Sequence, residues 1–388
     1  MDDPQSLAIV IPAYNEEAAI ADIVRRCLDA RSLICRETGL KRVDVIVVDD
    51  GSRDRTREIA AGFPQARLVV HPGNLGYGAA LATGFEASDA GLLAFLDADG
   101  TCDPLAFVEL HRAMARTDAD MAVGNRMGEG SRMPGVRRIG NRFYAFIISR
   151  LTGVEVGDSA SGMRLFRREL LGRLKPLPTG LHFTPAMTAR AASLGARIVE
   201  APIPYAERQG RSKLNVVADG MRFLRVILGV IFAIHPLRVF GPVGALFALA
   251  ALGYGIKPVA YYLSCRHLEE DMIYRLLTIV TLAVCGQISI CSGLIAQKVS
   301  DAVTRRRGGW LDRPGLAEAA VAAGVLLGLG GVLLNSRTIM EYASSGRITS
   351  HWVYVLAGAL AVISGTVQVC FGITLALVRH LPSVQEDK

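Results

Sequence analysis

Residues 91–100 read GLLAFLDADG, an apolar run that ends in two carboxylates. Such an uninterrupted run predicts a strand buried on both faces, as in a parallel sheet covered by helices. Asp97 and Asp99 come at the end of this strand, where open α/β sheets bind their ligands. Two clustered carboxylates are costly near an apolar core unless a cation joins them. The segment therefore predicts a hard divalent cation that carries a phosphate.

Short apolar runs recur through the N-terminal half, and helical patterns separate several of them. The runs lie at residues 7–11, 43–48, 68–70, 92–96, 121–123 and 198–199. This alternation predicts an α/β domain with a largely parallel, Rossmann-like sheet. Polar residues around Asn15 and Asp50 follow the first two runs, as Asp97 follows the fourth. We expect these side chains to meet at one edge of the sheet.

Beyond residue 239 the chain consists of long apolar runs with short polar connections. Four of these runs reach the roughly 20 residues that a bilayer-spanning helix needs. They lie at residues 239–263, 273–297, 316–335 and 352–378. The sequence therefore predicts four transmembrane helices.

The charges between these runs predict an orientation. The first connection is acidic at residues 269–271, whereas the second contains Lys298, three arginines at 305–307, and Arg313. The positive-inside rule places the second connection in the cytoplasm. Counting spans then places the N-terminal domain on the cytoplasmic side of the inner membrane. The N-terminus has no basic patch followed by an apolar segment, so we expect no cleaved signal.

The net charge of +7 fits this arrangement, because cytoplasmic bases near a membrane attract anionic head groups. Membrane lipids are therefore expected partners. Nucleic acid is not, since the sequence lacks the basic and aromatic modules of nucleic-acid-binding proteins. The seven cysteines form no C-x-x-C pair. They are interpreted as small apolar residues in a reducing compartment, not as disulfides or a zinc site.

Residues 216–232 have the pattern of a helix that lies in the membrane interface, with an apolar and a charged face. The apolar set is Val217, Met221, Leu224, Leu228 and Ile231, and the charged set is Asp219, Arg222 and Arg225. An ordinary amphipathic helix packed on the soluble domain is the alternative. The predicted domains are residues 1–213, an interfacial helix at 214–236, and a membrane domain at 237–388.

Six motifs together resemble those of family 2 glycosyltransferases with the GT-A fold. They are VIPAYNE at 10–16, VVDDGS at 47–52, DAD at 97–99, GNR at 124–126, DSASGMR at 158–164 and RQGRSK at 208–213. Within that family, residues 7–215 are most similar to the polyprenyl-phosphate glycosyltransferases, such as dolichyl-phosphate mannose synthase and undecaprenyl-phosphate glucosyltransferase. The expected fold is a GT-A domain, an interfacial helix and four transmembrane helices.

The resemblance implies a role for each matching position. Residues expected to line the nucleotide base and ribose are Pro12, Tyr14, Glu16 and Asp50, and those expected to hold the donor pyrophosphate through Mg²⁺ or Mn²⁺ are Asp97 and Asp99. The acceptor lipid phosphate is expected at Arg126 with Arg137 or Arg138, and the residues expected to close over the donor phosphates are Arg208, Ser212 and Lys213.

The chain also departs from its relatives. Thr101 stands where they often have glutamine, so threonine or water could replace a metal ligand. Tyr77 stands where they often have a basic residue, and Pro185-Ala186 where many have a glutamate. These changes leave the donor open between GDP-hexose and UDP-hexose. The Q-x-x-R-W motif of processive polysaccharide synthases is absent, which argues against a polymerase.

The choice of acceptor is argued from charge. A hydroxyl acceptor needs a general base, whereas a phosphate is already anionic and needs cations that orient it. Five arginines crowd one segment: Arg126, Arg132, Arg137, Arg138 and Arg142. Their planar forks suit phosphate, and Arg126 and Arg138 are the favoured contacts. A solvated or lipid-facing basic loop is the alternative. Asp158 is the candidate base, or else a helix cap or a partner of Arg164.

The leading hypothesis is metal-dependent, inverting transfer of a hexose from a nucleotide sugar to undecaprenyl or dolichyl phosphate at the cytoplasmic membrane face. The alternatives are glycosylation of a lipid hydroxyl, and a non-catalytic membrane scaffold or lipid translocation partner. The membrane tail could anchor the enzyme, pair subunits into a homo-oligomer, or move the product. Because its sequence shows no chain of buried charges, anchoring is favoured.

Overall fold

A seven-stranded sheet organises the N-terminal part of the chain. The structure, a computed structural model, describes residues 3–128, 131–207, 216–265, 268–304, 309–348 and 351–379. The strands are β1 (Asp3–Ala13), β2 (Arg42–Asp49), β3 (Arg67–Val70), β4 (Ala90–Phe95), β5 (Met121–Asn125), β6 (Arg164–Arg167) and β7 (Ile198–Pro202). Their order is β3-β2-β1-β4-β6-β5-β7, and only β6 runs antiparallel to its neighbours. The predicted α/β class with a largely parallel sheet is confirmed.

Helices cover both faces of this sheet. The helices of the N-terminal part are α1 (Ile20–Thr38), α2 (Thr56–Ala61), α3 (Tyr77–Glu86), α4 (Ala106–Thr117), α5 (Gly135–Thr152), α6 (Arg168–Leu174), α7 (Phe183–Ser193) and α8 (Val216–Ile234). Side chains of β1 alternate between two buried clusters, with Leu7 and Ile9 in one and Ala8 and Val10 in the other. Burial on both faces explains why the central strands read as uninterrupted apolar runs.

Helix α8 packs on the N-terminal domain through part of its apolar face. Ile227 and Ile231 are fully buried in a cluster with Ala145 and Ile148 of α5. Met221, by contrast, is 63% exposed. Along its second half, α8 is therefore an amphipathic helix packed on the N-terminal domain, which is the alternative that the sequence left open for this segment.

The rest of the chain contains four long helices, and contacts divide the protein into units Met1–Ile231 and Phe232–Lys388. The four are α9 (Leu237–Cys265), α10 (Ile273–Val303), α11 (Leu316–Ser345) and α12 (Trp352–Arg379). Each is long and apolar enough to cross a membrane, and an 18-residue stretch of each has a mean hydropathy between 1.8 and 2.0. The four predicted spans are confirmed as helices of this kind.

Helices α11 and α12 approach each other at glycines. A Cβ added to Gly324 would lie 2.6 Å from the Gly365 carbonyl oxygen, and one added to Gly365 would lie 2.5 Å from that of Gly324. Gly331 and Gly358 form a second close contact seven residues further along, which is about two helical turns. Small residues allow such backbone contact, which is a main source of helix association in membranes.

Candidate active site

A cavity of about 460 Å³ opens where several strands of the sheet end. Eight of the residues singled out from the sequence line it: Pro12, Tyr14, Glu16, Asp50, Asp97, Asp99, Arg126 and Arg137. They come from the ends of β1, β2, β4 and β5 and from the start of α5. The polar side chains that follow these strands therefore meet at one edge of the sheet, as the sequence predicted.

The two aspartates after β4 each accept a hydrogen bond from a hydroxyl group. The Tyr77 phenol donates to Asp97 Oδ1 over 2.8 Å. The Thr101 hydroxyl donates to Asp99 Oδ1 over 2.6 Å, and the Thr101 amide donates to the same oxygen over 3.1 Å. Thr101 is buried, and it is absent from the described lining of the cavity. It therefore supports Asp99 instead of standing in the cavity as a replacement ligand.

Both carboxylates suit a hard divalent cation. They offer oxygen ligands, and both line one cavity. Among the described residues, no group of three or more His, Cys, Asp or Glu side chains converges as a metal cage. Mg²⁺ is commonly bound by one or two carboxylates, with water and substrate phosphates completing its shell. The donor set fits a cation that arrives with a diphosphate.

Asp50 organises the wall of the cavity before α3. Its Oδ1 accepts a hydrogen bond from the Leu75 amide and lies 2.8 Å from His71 Nδ1. Its Oδ2 accepts a hydrogen bond from the Gly76 amide. His71 Nε2 lies 2.9 Å from the Thr83 hydroxyl on α3. The buried carboxylate thus ties the end of β3 and the following loop to β2.

Arg126 and Asp158 form a buried ion pair. Asp158 accepts hydrogen bonds from Arg126 Nε, a second Arg126 guanidinium nitrogen and the Arg126 amide, at 2.8 to 3.0 Å. Burial alone would raise the pKa of Asp158, but the charge and hydrogen bonds of Arg126 outweigh burial and hold it below its usual range. The Tyr205 ring lies 5.4 Å from the guanidinium carbon.

This geometry bears on two of the alternatives that the sequence left open for Asp158. The arginine that pairs with Asp158 is Arg126 and not Arg164, which instead donates to the Ser159 and Ser161 carbonyls. A carboxylate with a lowered pKa and several donors is also a poor general base. Burial lowers the pKa of Arg164 to about 10.

Asn141 on α5 is a site residue that sequence reasoning missed. Its amide nitrogen donates to Asp158 Oδ1 over 2.8 Å, and its oxygen accepts from the Ser159 hydroxyl and the Ala160 amide. Asn141 thereby fixes the loop between α5 and β6 beside the ion pair. A single asparagine in an arginine-rich segment carries no sequence signal of such a role.

The structure also separates the predicted arginine contacts. Arg137 lines the cavity, whereas a guanidinium nitrogen of Arg138 donates to the Ser131 carbonyl, and Arg138 is not among the described lining residues. The expectation for a second phosphate contact therefore moves from Arg138 to Arg137. Three further predicted residues, Arg208, Ser212 and Lys213, lie outside the described residues.

A protein family and several known proteins match part of this chain. The family described as glycosyl transferase family 2 matches residues 8–175. A low-salt glycan biosynthesis hexosyltransferase of Haloferax volcanii is 33% identical over 58% of this chain and 54% of its own length. An undecaprenyl-phosphate 4-deoxy-4-formamido-L-arabinose transferase of Edwardsiella ictaluri is 28% identical over 65% of this chain and 75% of its own length.

The match that decides membership is with a dolichyl-phosphate hexose transferase of Haloferax volcanii. It is 34% identical and covers 58% of this chain and 93% of the relative. Nearly the whole of that relative is therefore matched by this chain. The protein belongs to glycosyl transferase family 2 and is a glycosyltransferase of that family.

Proposed function

We propose that this glycosyltransferase moves a hexose from a nucleotide sugar to a polyprenyl phosphate at the cytoplasmic face of the membrane. The observation that carries the proposal is a single cavity lined both by the carboxylates Asp97 and Asp99 and by the cations Arg126 and Arg137. A donor diphosphate needs a cation held by carboxylates, and an anionic acceptor needs arginines.

The donor end is assigned from the strand ends. Asp97 and Asp99 would hold Mg²⁺ or Mn²⁺, which as a Lewis acid would neutralise the charge that develops on the leaving diphosphate. Pro12, Tyr14, Glu16 and Asp50 line the same cavity and are assigned to the base and ribose of UDP or GDP. Arg208, Ser212 and Lys213 are assigned to the donor phosphates.

The acceptor end is assigned to the arginines. Arg126 is held in place by Asp158, and Arg137 reaches the cavity from the first turn of α5. An acceptor phosphate oxygen would attack the anomeric carbon while the bond to the nucleoside diphosphate breaks, which inverts that centre. The phosphate is already ionised, so the step needs no general base. The names of two relatives, which specify dolichyl and undecaprenyl phosphates, agree with this acceptor class.

Helix α5 supports delivery of the acceptor from a bilayer. Four apolar side chains of α5 are 50% to 72% exposed, namely Val136, Ile139, Phe143 and Phe146, and Val136 also lines the rim of the cavity. Exposed arginines flank them at positions 142 and 150. An apolar stripe edged by bases fits the boundary between acyl chains and anionic head groups. The same helix supplies Arg137, Asn141 and Tyr144 to the cavity.

The deciding experiment compares two acceptors that differ only in the phosphate. Purified full-length protein in lipid nanodiscs is incubated with a panel of UDP- and GDP-hexoses, Mn²⁺, and either undecaprenyl phosphate or undecaprenol. We expect glycosylated lipid from one donor with the phosphate acceptor and none with the alcohol. Asp99→Asn is expected to abolish the product, since it removes a carboxylate from the donor site.

Two outcomes would reject the proposal. Equal transfer to undecaprenol would show that the enzyme glycosylates a lipid hydroxyl. Full activity of Asp99→Asn would show that catalysis does not need the carboxylate pair. Glu58→Gln is the matched control for the Asp99 change. Its carboxylate lies on the exposed surface and pairs with Arg55, and we expect its product yield to equal that of the native protein.

A further inference from the structure

Tyr77 occupies a fixed position at the start of α3. The preceding Gly76 has a φ of 104°, and the Gly78 and Ala79 amides both donate to the Thr179 carbonyl. A Cβ on Gly78 would lie 2.2 Å from the Pro178 carbonyl oxygen. The backbone at Tyr77 is therefore pressed against the 178–179 segment, and its side chain is directed to the cavity wall, where it meets Asp97.

The Asp97 carboxylate is confined from two sides. The Tyr77 phenol donates to Oδ1 over 2.8 Å. Gly162 lies against the other oxygen, since a Cβ at Gly162 would be only 2.0 Å from Oδ2. A hydrogen bond on one oxygen and a close backbone on the other leave the carboxylate few orientations.

We propose that Tyr77 is a positioning residue whose hydroxyl orients Asp97 and thereby sets the affinity of the donor site for its divalent cation. The inference rests on the proposed cation site at Asp97 and Asp99. Groups that hydrogen-bond to a metal ligand orient it, and their loss commonly weakens metal binding by about 10- to 100-fold. Thr101 holds Asp99 through the equivalent hydroxyl contact, so each aspartate has its own support.

The test is Tyr77→Phe in the full-length protein, which removes the hydroxyl and keeps the ring. Mn²⁺ binding is measured by the electron paramagnetic resonance of free Mn²⁺, with the same concentration of UDP or GDP in every sample and no sugar donor or acceptor present. We expect affinity to fall by about tenfold. In the transfer assay, the apparent KM for Mn²⁺ is expected to rise by a larger factor than kcat falls. A merely structural defect would lower kcat without that selective change.

Tyr144→Phe is the matched control. Tyr144 lines the same cavity, but its hydroxyl donates to the Gly220 carbonyl over 3.0 Å and not to a carboxylate. Its Mn²⁺ affinity is expected to equal that of the native protein. Circular dichroism of both variants checks that each is folded.

Asp97→Asn separates failure of this inference from failure of the proposed site. If Asp97→Asn loses Mn²⁺ and Tyr77→Phe binds it with native affinity, the role of Tyr77 is overturned and the cation site stands. If Asp97→Asn binds Mn²⁺ like the native protein, the cation site itself is wrong. Tighter binding by Tyr77→Phe would show that the phenol competes with the cation, which also contradicts the inference.

Discussion

At the scale of single residues, Arg126 and Asp158 act as one unit. From the sequence, the two residues pointed to different acceptors. Arg126 favoured a phosphate acceptor, whereas Asp158, as a candidate general base, favoured a hydroxyl acceptor. Because each holds the other in place, a change at either alters both. A single substitution at either position therefore cannot distinguish a phosphate acceptor from a hydroxyl acceptor. Comparing undecaprenyl phosphate with undecaprenol makes that distinction directly.

Asp158→Ala is predicted to destabilise the N-terminal unit strongly. It would leave the nearly buried Arg126 guanidinium without its counter-charge, and removing one partner of a buried pair costs about 3–5 kcal/mol. We expect a clear fall in the melting temperature of the full-length protein, as measured by circular dichroism in detergent.

The control for this prediction is Asp89→Ala. The Asp89 carboxylate pairs with Arg42 but is 67% exposed, so water already screens its charge. We expect a much smaller change in melting temperature. Equal shifts in the two variants would contradict the idea that Asp158 is a buried electrostatic support.

The same scale shows which site residues a sequence can reveal. Asp97 and Asp99 were predicted because they end a run whose apolar character already defines a buried strand. Asn141 and Tyr205 were not, because their roles depend on α5 and on the segment after β7 folding back over Arg126. Contacts between distant segments leave no local pattern.

At the scale of elements, amphipathic spacing identified the right kind of helix but could not assign its faces. The pattern at 216–232 predicted an interfacial helix, yet Ile227 and Ile231 are buried against the N-terminal domain. Helix α5 carries the more exposed apolar stripe, with Ile139 at 72% and Phe146 at 66% exposure. Periodicity reports that one face is apolar and does not identify the surface that covers it.

The double variant Phe143→Glu with Phe146→Glu tests α5 as a membrane contact. Burying one such ring is worth about 1.5 kcal/mol or more, close to a factor of ten in binding. We expect the apparent KM for undecaprenyl phosphate in vesicles to rise by about tenfold or more. Activity toward a short, water-soluble isoprenyl phosphate is expected to remain.

Leu105→Glu provides the comparison, because Leu105 is also an exposed apolar residue, at 40%, but precedes α4 instead of lying on α5. Its KM in vesicles is expected to match the native value. A loss of activity on both acceptors in the α5 variant would indicate damage to the cavity and not to membrane contact.

At the scale of the whole molecule, two simple patterns predicted the architecture. Alternating strands and helices gave the α/β class, and the lengths of four apolar runs gave the long helices. Strand β6 was missed because it has only four residues, with arginine at both ends, and its antiparallel direction depends on pairing with β4 and β5. Its position matters, since it places the 158–162 loop beside Asp97.

The proposed orientation makes a prediction about the native cysteines. If the N-terminal unit is cytoplasmic, α9 must end on the outer side of the membrane, where Cys265 is exposed. The other six cysteines would be cytoplasmic or within the spans: Cys27, Cys35, Cys102, Cys285, Cys291 and Cys370. A membrane-impermeant maleimide added to intact cells is therefore expected to label the native protein and not Cys265→Ser.

Arg313→Cys, introduced together with Cys265→Ser, completes this test from the other side. Residue 313 belongs to the basic connection between α10 and α11, which the proposal places in the cytoplasm. We expect labelling only after the membrane is permeabilised. If the cysteine at residue 313 is labelled in intact cells and Cys265 of the native protein is not, the orientation is the reverse of the proposed one. The cavity would then face away from cytoplasmic nucleotide sugars, and transfer at the cytoplasmic face would be excluded.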